Sequence, residues 1–232
     1  EDQDLSLFFG QSSFSQYVVT RASNAVVVDP EVDLTLLGPL GCGIQTGSGT
    51  VLNRLKPVVG ESLVVFGCGA VGLSAIMAAK LTGCSQIIAV DIHASRLALA
   101  GELGATHQIN GKEQDAVAVI KQITGKGAHY AVETTGVSAI VLQAVHAVKP
   151  LGTVAIVGFT GDITLNVQND LMAEGKSLVG VIEGDAVPAL FIPLLVQLYK
   201  QGKFPIDKLI ARYPLADINQ AFADSASGKV IK

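Results

Sequence analysis

The stretch "VVFGCGAVG", residues 64–72, constrains the fold of this chain more than any other. It carries Gly67-x-Gly69-x-x-Gly72. The apolar run "SLVVFG" (62–67) predicts a buried strand, and "AVGLSAIMAAKLTG" predicts a helix opening at Ala70 and Val71 and stopped by Gly83. Asp91 ends the next apolar run, "QIIAVD" (86–91), roughly 20 residues beyond the last glycine. A glycine triplet alone is a poor signal; strand, glycines, helix and acid together point to a dinucleotide site. Gly67 allows the tight turn, Gly69 lets a pyrophosphate approach the backbone, and Gly72 lets the helix pack on the strand. The helix N-terminus offers free N–H groups and partial positive charge to phosphates. Asp91 can accept from an adenosine ribose and would repel a 2′-phosphate, which favours NAD over NADP. Arg96 keeps the second cofactor open, since an arginine there can meet a phosphate.

The rest of the middle repeats this rhythm. A helix is predicted over 94–104, a strand over 106–110 and a helix over 113–125. It restarts with strand and turn in "AHYAVETTG" (128–136), a helix over 137–150 stopped by Pro150, a strand in "GTVAIVG" (152–158) and a sixth in "SLVGVIEG" (177–184). The predicted class is α/β: an open, doubly wound parallel six-stranded sheet of two mononucleotide-binding halves, with right-handed crossovers. Methyltransferases also pair a glycine loop with an acid, but a doubled six-strand sheet fits them poorly. The flanks lack the rhythm. "FSQYVVT" and "NAVVVDP" read as short strands of a separate β-rich unit. After 184 come a helix in "VPALFIPLLVQLYKQGK", a loop, a polar helix in "ADINQAFADSASG", and "KVIK", which reads as the start of a strand.

Composition agrees. The chain has 232 residues, 49% of them hydrophobic and 16% charged, enough apolar material for a large core. The net charge of −4 and the lack of a basic run argue against a nucleic-acid partner. No apolar run reaches the roughly 18 residues that span a bilayer, so no membrane partner is expected. Three cysteines make no disulfide framework and suggest a reducing, cytoplasmic setting. No basic leader is visible, and the absent initiator Met suggests a processed chain or a fragment.

"GPLGCGIQTGSG" (38–49) poses a separate question. Its glycine density predicts a flexible turn, and Cys42 within it reads as a metal ligand, a nucleophile or a small packed residue, with no partner beside it in the sequence. Cys68 and Cys84 read as small buried residues.

These motifs, with "FFGQSSFSQYVV" (8–19), "VETTG" (132–136) and "ASGKVIK" (226–232), resemble the zinc-dependent medium-chain alcohol dehydrogenases, most closely the aryl (benzyl) alcohol dehydrogenase branch. The resemblance covers essentially the whole chain. It implies a Rossmann coenzyme domain interrupting a GroES-like β-rich catalytic domain. Residues 1–43 would be the remnant of that catalytic domain, 44–182 the NAD-binding Rossmann domain, and 183–232 the return segment. The family's early catalytic cysteine, Gly-His-Glu segment and structural zinc lobe have no counterpart here, so the chain reads as about the last two-thirds of such an enzyme.

The resemblance also implies roles. Cys42 matches a catalytic zinc ligand and Thr46 a residue lying against the nicotinamide ring. Val71 matches a residue packed behind that ring, and Asp91 and Arg96 match the adenosine-ribose contacts. Val157, Val181 and Glu183 match carboxamide-binding positions, the last two through their backbone, and Lys232 a basic residue facing the pyrophosphate. Phe8 and Phe9 match the walls of the substrate cleft, with Ile44 nearby; aromatic walls suit a flat substrate. The four histidines match no ligand position and read as surface or helix-face residues. The implied reaction is hydride transfer from a primary alcohol to NAD, giving an aldehyde, with zinc lowering the pKa of the alcohol. The partners implied are a small alcohol or aldehyde and further copies of the chain, as a homodimer or homotetramer. Cys42 is one zinc donor where three are needed, so this chain alone is expected to be inactive and to bind NAD weakly or not at all. The alternatives are a zinc-free NADPH quinone or enoyl reductase, which Cys42 and Asp91 argue against, and a nucleotide-binding module without catalysis.

Overall fold

The computed structural model describes residues 14–232. Its centre is a parallel sheet of β1 (Ser62–Phe66), β2 (Gln86–Asp91), β3 (His107–Asn110), β4 (Ala128–Glu133), β5 (Val148–Ile156) and β6 (Ser177–Gly180), in the order β3-β2-β1-β4-β5-β6. Every residue of β1 is buried because helices cover both faces. Leu63 and Val65 point to one face, where they join α2 (Ala70–Leu81) and α3 (Ala94–Leu103). Val64 and Phe66 point to the other, toward α4 (Ala116–Thr124) and α5 (Ser138–Ala147). The connections leaving β1 and β4 therefore run to opposite faces. The two connections part at the C-terminal ends of these strands, opening a crevice at the switch point of the doubly wound order.

Helix boundaries follow local chemistry. Asp115 caps α4 by accepting the Ala118 N–H at 3.1 Å. Gly104, at φ 126°, closes α3. The helix expected over 137–150 ends at Ala147, and β5 begins there rather than at 152. The proline ring bars Lys149 from a helical backbone, and Val148 pairs with Ala128 before an irregularity in the β4–β5 register. The sixth strand stops at Gly180 instead of running to 184. Glu183, Gly184 and Asp185 adopt positive φ values of 50°, 68° and 48°, a left-handed turn incompatible with pairing.

The largest departure is the glycine-dense stretch. Instead of a flexible turn it forms α1 (Gly43–Gly49), continued by a π-helical turn over Thr50–Leu55. All seven residues of α1 are buried. A Cβ on Gly47 would lie 1.9 Å from the Val71 carbonyl oxygen on α2, and one on Gly49 would lie 2.4 Å from that of Gly184. The glycines are contact surfaces, and close packing outweighs their poor helix propensity.

The flanks are also less regular than expected. "FSQYVVT" and "NAVVVDP" form no strand; a 3-10 turn, Ala22–Asn24, lies between them. Strand character in an isolated apolar run needs a neighbour to bond, and no ladder forms beside these runs among the described residues. "KVIK" forms no strand, although the Lys232 carbonyl accepts the Ala211 N–H at 2.7 Å. The C-terminal helices are present as α6 (Pro188–Lys200), with Phe191, Ile192, Leu195 and Val196 buried, and α7 (Ile218–Ala226). No helix among the described residues is long and apolar enough to cross a membrane.

Candidate functional site

A cleft of about 670 Å³ opens at the switch point, and Gly67, Gly69, Ala70, Val71, Asp91 and Arg96 all line it. Cys42 and Lys232 reach it from the flanking segments. The three glycines have distinct reasons. Gly67 turns the chain at φ 91°. A Cβ on Gly72 would sit 1.8 Å from the Gly67 carbonyl oxygen, so this glycine, buried beneath the loop, permits helix–strand contact. A Cβ on Gly69 would meet nothing within 4 Å and would project into open space. No side chain caps the N-terminus of α2, which leaves its first N–H groups available at the cleft.

Asp91 is 8% exposed at the end of β2. Its Oδ2 accepts the Cys68 N–H at 2.6 Å, and its Oδ1 accepts those of Ile92 and His93 at 2.7 and 2.9 Å. Three amides occupy three of the roughly four lone-pair sites of a carboxylate. The acid therefore ties the glycine loop to the β2 turn and retains about one site for a ribose hydroxyl. Arg96 is half-buried on the first turn of α3, and its Nε is buried without a hydrogen-bond partner among the described residues. One of its terminal nitrogens lies 3.0 Å from where a Cβ on Gly228 would be, so the C-terminal segment crowds that side of the cleft.

A second group lies around α1. Thr46 stands one turn after Cys42, its N–H bonded to the Cys42 carbonyl at 2.9 Å. Its hydroxyl donates to Glu183 Oε2 at 3.3 Å, and Gln45 Nε2 donates to the same oxygen at 3.0 Å. Beyond the backbone role expected for Glu183, its side chain joins α1 to the left-handed turn. The thiol of Cys42 is exposed. Partial desolvation and the Glu183 carboxylate push its pKa up, opposed by Lys232. Val157 and Val181 continue from the ends of β5 and β6, their N–H groups bonded to the carbonyls of Glu133 and Ile156 at 2.9 and 3.0 Å. Neither lines the cleft. Ile44, expected near the substrate, is fully buried in the core, because α1 turns that face inward. Phe8 and Phe9 lie outside the described residues.

Two residues escaped sequence reasoning. Thr134 donates to the carbonyl oxygens of Phe66 and Gly67 at 2.9 and 3.0 Å. Glu133 is fully buried beneath the following turn. The signal available was a charged residue closing an otherwise apolar strand in "VETTG".

Residues 70–200 match the model of a family described as zinc-binding dehydrogenase. The chain belongs to the zinc-binding dehydrogenase family. Among its relatives, the geraniol dehydrogenase of Castellaniella defragrans is 44% identical across 98% of this chain and 62% of its own length. The crystal structure of benzyl alcohol dehydrogenase from Acinetobacter calcoaceticus superposes with a TM-score of 0.94 at 52% identity, covering 97% of this chain and 62% of that one. An alcohol dehydrogenase zinc-binding domain protein from Burkholderia ambifaria gives 0.93 at 52% identity, covering 97% of this chain and 61% of that one. The chain thus spans about three-fifths of the length of these relatives.

The family name raises the question of a metal. A zinc site takes at least three protein ligands. Among the described residues, no group of three His, Cys, Asp or Glu side chains is arranged to hold an ion. Cys42 is a single donor, so the described residues do not by themselves fit zinc. The chemistry of the cleft fits a dinucleotide: open space above Gly69, an uncapped helix N-terminus and a carboxylate, Asp91, on its lining.

Proposed function

We propose that this zinc-binding dehydrogenase is the coenzyme-binding part of an NAD-dependent alcohol dehydrogenase that oxidises a primary, aryl alcohol to its aldehyde. The observation that carries this reading is the convergence of open Gly69, the free N-terminus of α2 and Asp91 on one cleft. The α2 amides would hold the pyrophosphate, and Asp91 the adenosine ribose. Lys232 would add a positive charge on the pyrophosphate side. Bound NAD supplies the hydride acceptor. Thr46 and Val71 would position the nicotinamide, and Val157, Val181 and Glu183 its carboxamide. The aryl preference rests on the likeness to benzyl alcohol dehydrogenase.

We assign 44–182 to the coenzyme domain and 1–43 and 183–232 to a catalytic domain shared with a longer polypeptide. In that polypeptide Cys42 would be one zinc ligand among others supplied from elsewhere. The proposed setting is the cytoplasm. The proposed assembly is a homodimer or homotetramer, which the open edge of β6 and fully exposed Phe159 favour. The unpartnered Nε of Arg96 supports a second reading, an NADPH-dependent reductase.

A chimera tests both readings. It joins this chain to the part of the Acinetobacter benzyl alcohol dehydrogenase that the chain does not cover. Benzyl alcohol-dependent reduction of NAD, lost in Cys42→Ser, is the expected result. An active chimera that prefers NADPH and a quinone or enone would overturn the first reading in favour of the second. The chain by itself is expected to turn over no benzyl alcohol.

A further inference from the structure

Glu133 closes β4 and is fully buried, yet the nucleotide chemistry gives it no task. Burying a carboxylate is costly unless hydrogen bonds compensate it. Among the described residues, all its side-chain bonds come from the turn that follows. Oε1 accepts the Thr135 N–H at 2.6 Å, the Thr135 hydroxyl and the Gly136 N–H at 3.2 Å. Oε2 faces the same Gly136 N–H at 3.4 Å. The carboxylate thus gathers the 134–136 turn around itself.

That turn is one wall of the cleft, through Thr134 and Thr135. It also abuts the glycine loop. A Cβ on Gly67 would lie 2.6 Å from Thr134 Oγ1 and 3.0 Å from Thr135 Cγ2. The Thr134 hydroxyl bonds the Gly67 carbonyl, the same oxygen against which Gly72 packs. On the far side a Cβ on Gly158 would lie 2.3 Å from the Gly136 nitrogen and 3.1 Å from Glu133 Oε2. The turn is thus packed against Gly67 on one side and Gly158 on the other, and Glu133 holds it between them.

We infer that Glu133 is a positioning residue for the dinucleotide: its buried carboxylate sets the 134–136 turn, and through Thr134 the turn sets the Gly67–Gly72 loop. The inference rests on the proposed cofactor reading. It concerns a residue that touches no cofactor and acts only through its neighbours.

The test combines amide hydrogen exchange on the chain with calorimetric titration by NAD, at millimolar concentration, of the benzyl alcohol dehydrogenase chimera. Glu133→Leu removes the acceptors, Glu133→Gln retains one oxygen, and Thr134→Val cuts the hydroxyl's bonds to the Phe66 and Gly67 carbonyls while leaving Glu133 and its bonds in place. Glu133→Leu is expected to speed exchange at least about tenfold in peptides covering 134–137 and 67–72, with Glu133→Gln intermediate and 62–66 unchanged. Thr134→Val is expected to speed 67–72 alone. NAD affinity should fall in the same order, and Glu133→Gln combined with Thr134→Val should lose less than the two single effects multiplied. Unchanged exchange over 67–72, a rise spread evenly over the sheet, or equal NAD affinity in all variants would overturn the inference. The exchange pattern in the chain together with a chimera that takes no NAD would overturn the cofactor reading, and with it the nucleotide half of this proposal.

Discussion

The tripeptide Gly-Cys-Gly occurs twice in this chain, at 41–43 and at 67–69, and the two copies have opposite fates. The first opens the buried helix α1 and leaves its cysteine exposed in the cleft. The second forms the turn after β1 and buries its cysteine completely, with the thiol facing the Val90 carbonyl. Glycine also does different work in each. After the first copy, Gly47 and Gly49 are contact points between backbones; in the second, Gly69 keeps space empty. Identical local composition thus serves close packing in one place and leaves open space before a helix N-terminus in the other.

Four measurements would break or sharpen this contrast. Gly47→Ala drives a methyl into the Val71 carbonyl, and urea unfolding should show a loss of about 3 kcal/mol. A stability unchanged by this substitution would remove the packing account of α1. Next, iodoacetamide labelling followed by peptide mapping should modify Cys42 at least about a hundredfold faster than Cys68, which burial and the Asp91 charge keep protonated. Comparable rates would mean that the second copy is not buried in solution. Gly69→Ala should leave stability within about 0.5 kcal/mol, because its φ of −79° suits any residue. It should nonetheless weaken NAD at least about tenfold by filling the cradle. A variant that binds as tightly as the parent would locate the pyrophosphate elsewhere.

The smallest effect concerns pH. The thiolate is the reactive form, and the Cys42 pKa is raised by desolvation and by Glu183. Its alkylation at pH 8 should therefore be slower than that of free cysteine and should climb as pH rises through the elevated pKa. Glu183→Gln removes one raising charge, so the profile should move to lower pH and the rate at pH 8 should increase about twofold. A shift in the other direction would mean that Glu183 acts on Cys42 through structure and not through charge.

Much of the sheet was legible because a parallel strand buried on both faces must be a short apolar run, and β1 and β2 are just that. The Gly67–Gly72 loop and Asp91 beside it were legible because they belong to one strand–helix unit and the strand after it. Elsewhere local reading failed. "NAVVVDP" has strand composition but no neighbour to pair with among the described residues. The burial of Ile44 was not legible either: the inward face of α1 puts it in the core.

By itself, the sequence determined the doubly wound order of elements, the Gly67–Gly72 turn and the acid opposite it, since each depends on residues close in the chain. Only the tertiary structure decided that the second half of "GPLGCGIQTGSG", Gly43–Gly49, is an α-helix. The reason lies far along the chain: Val71 on α2 and Gly184 in a left-handed turn approach so closely that only glycine fits. The same holds for Glu183 reaching Thr46 across 137 positions, and for Thr134 reaching Gly67 across 67. Helix propensity is a local average worth less than about 1 kcal/mol per residue. A packed backbone contact between distant segments outweighs it, and no window of sequence contains both sides of that contact.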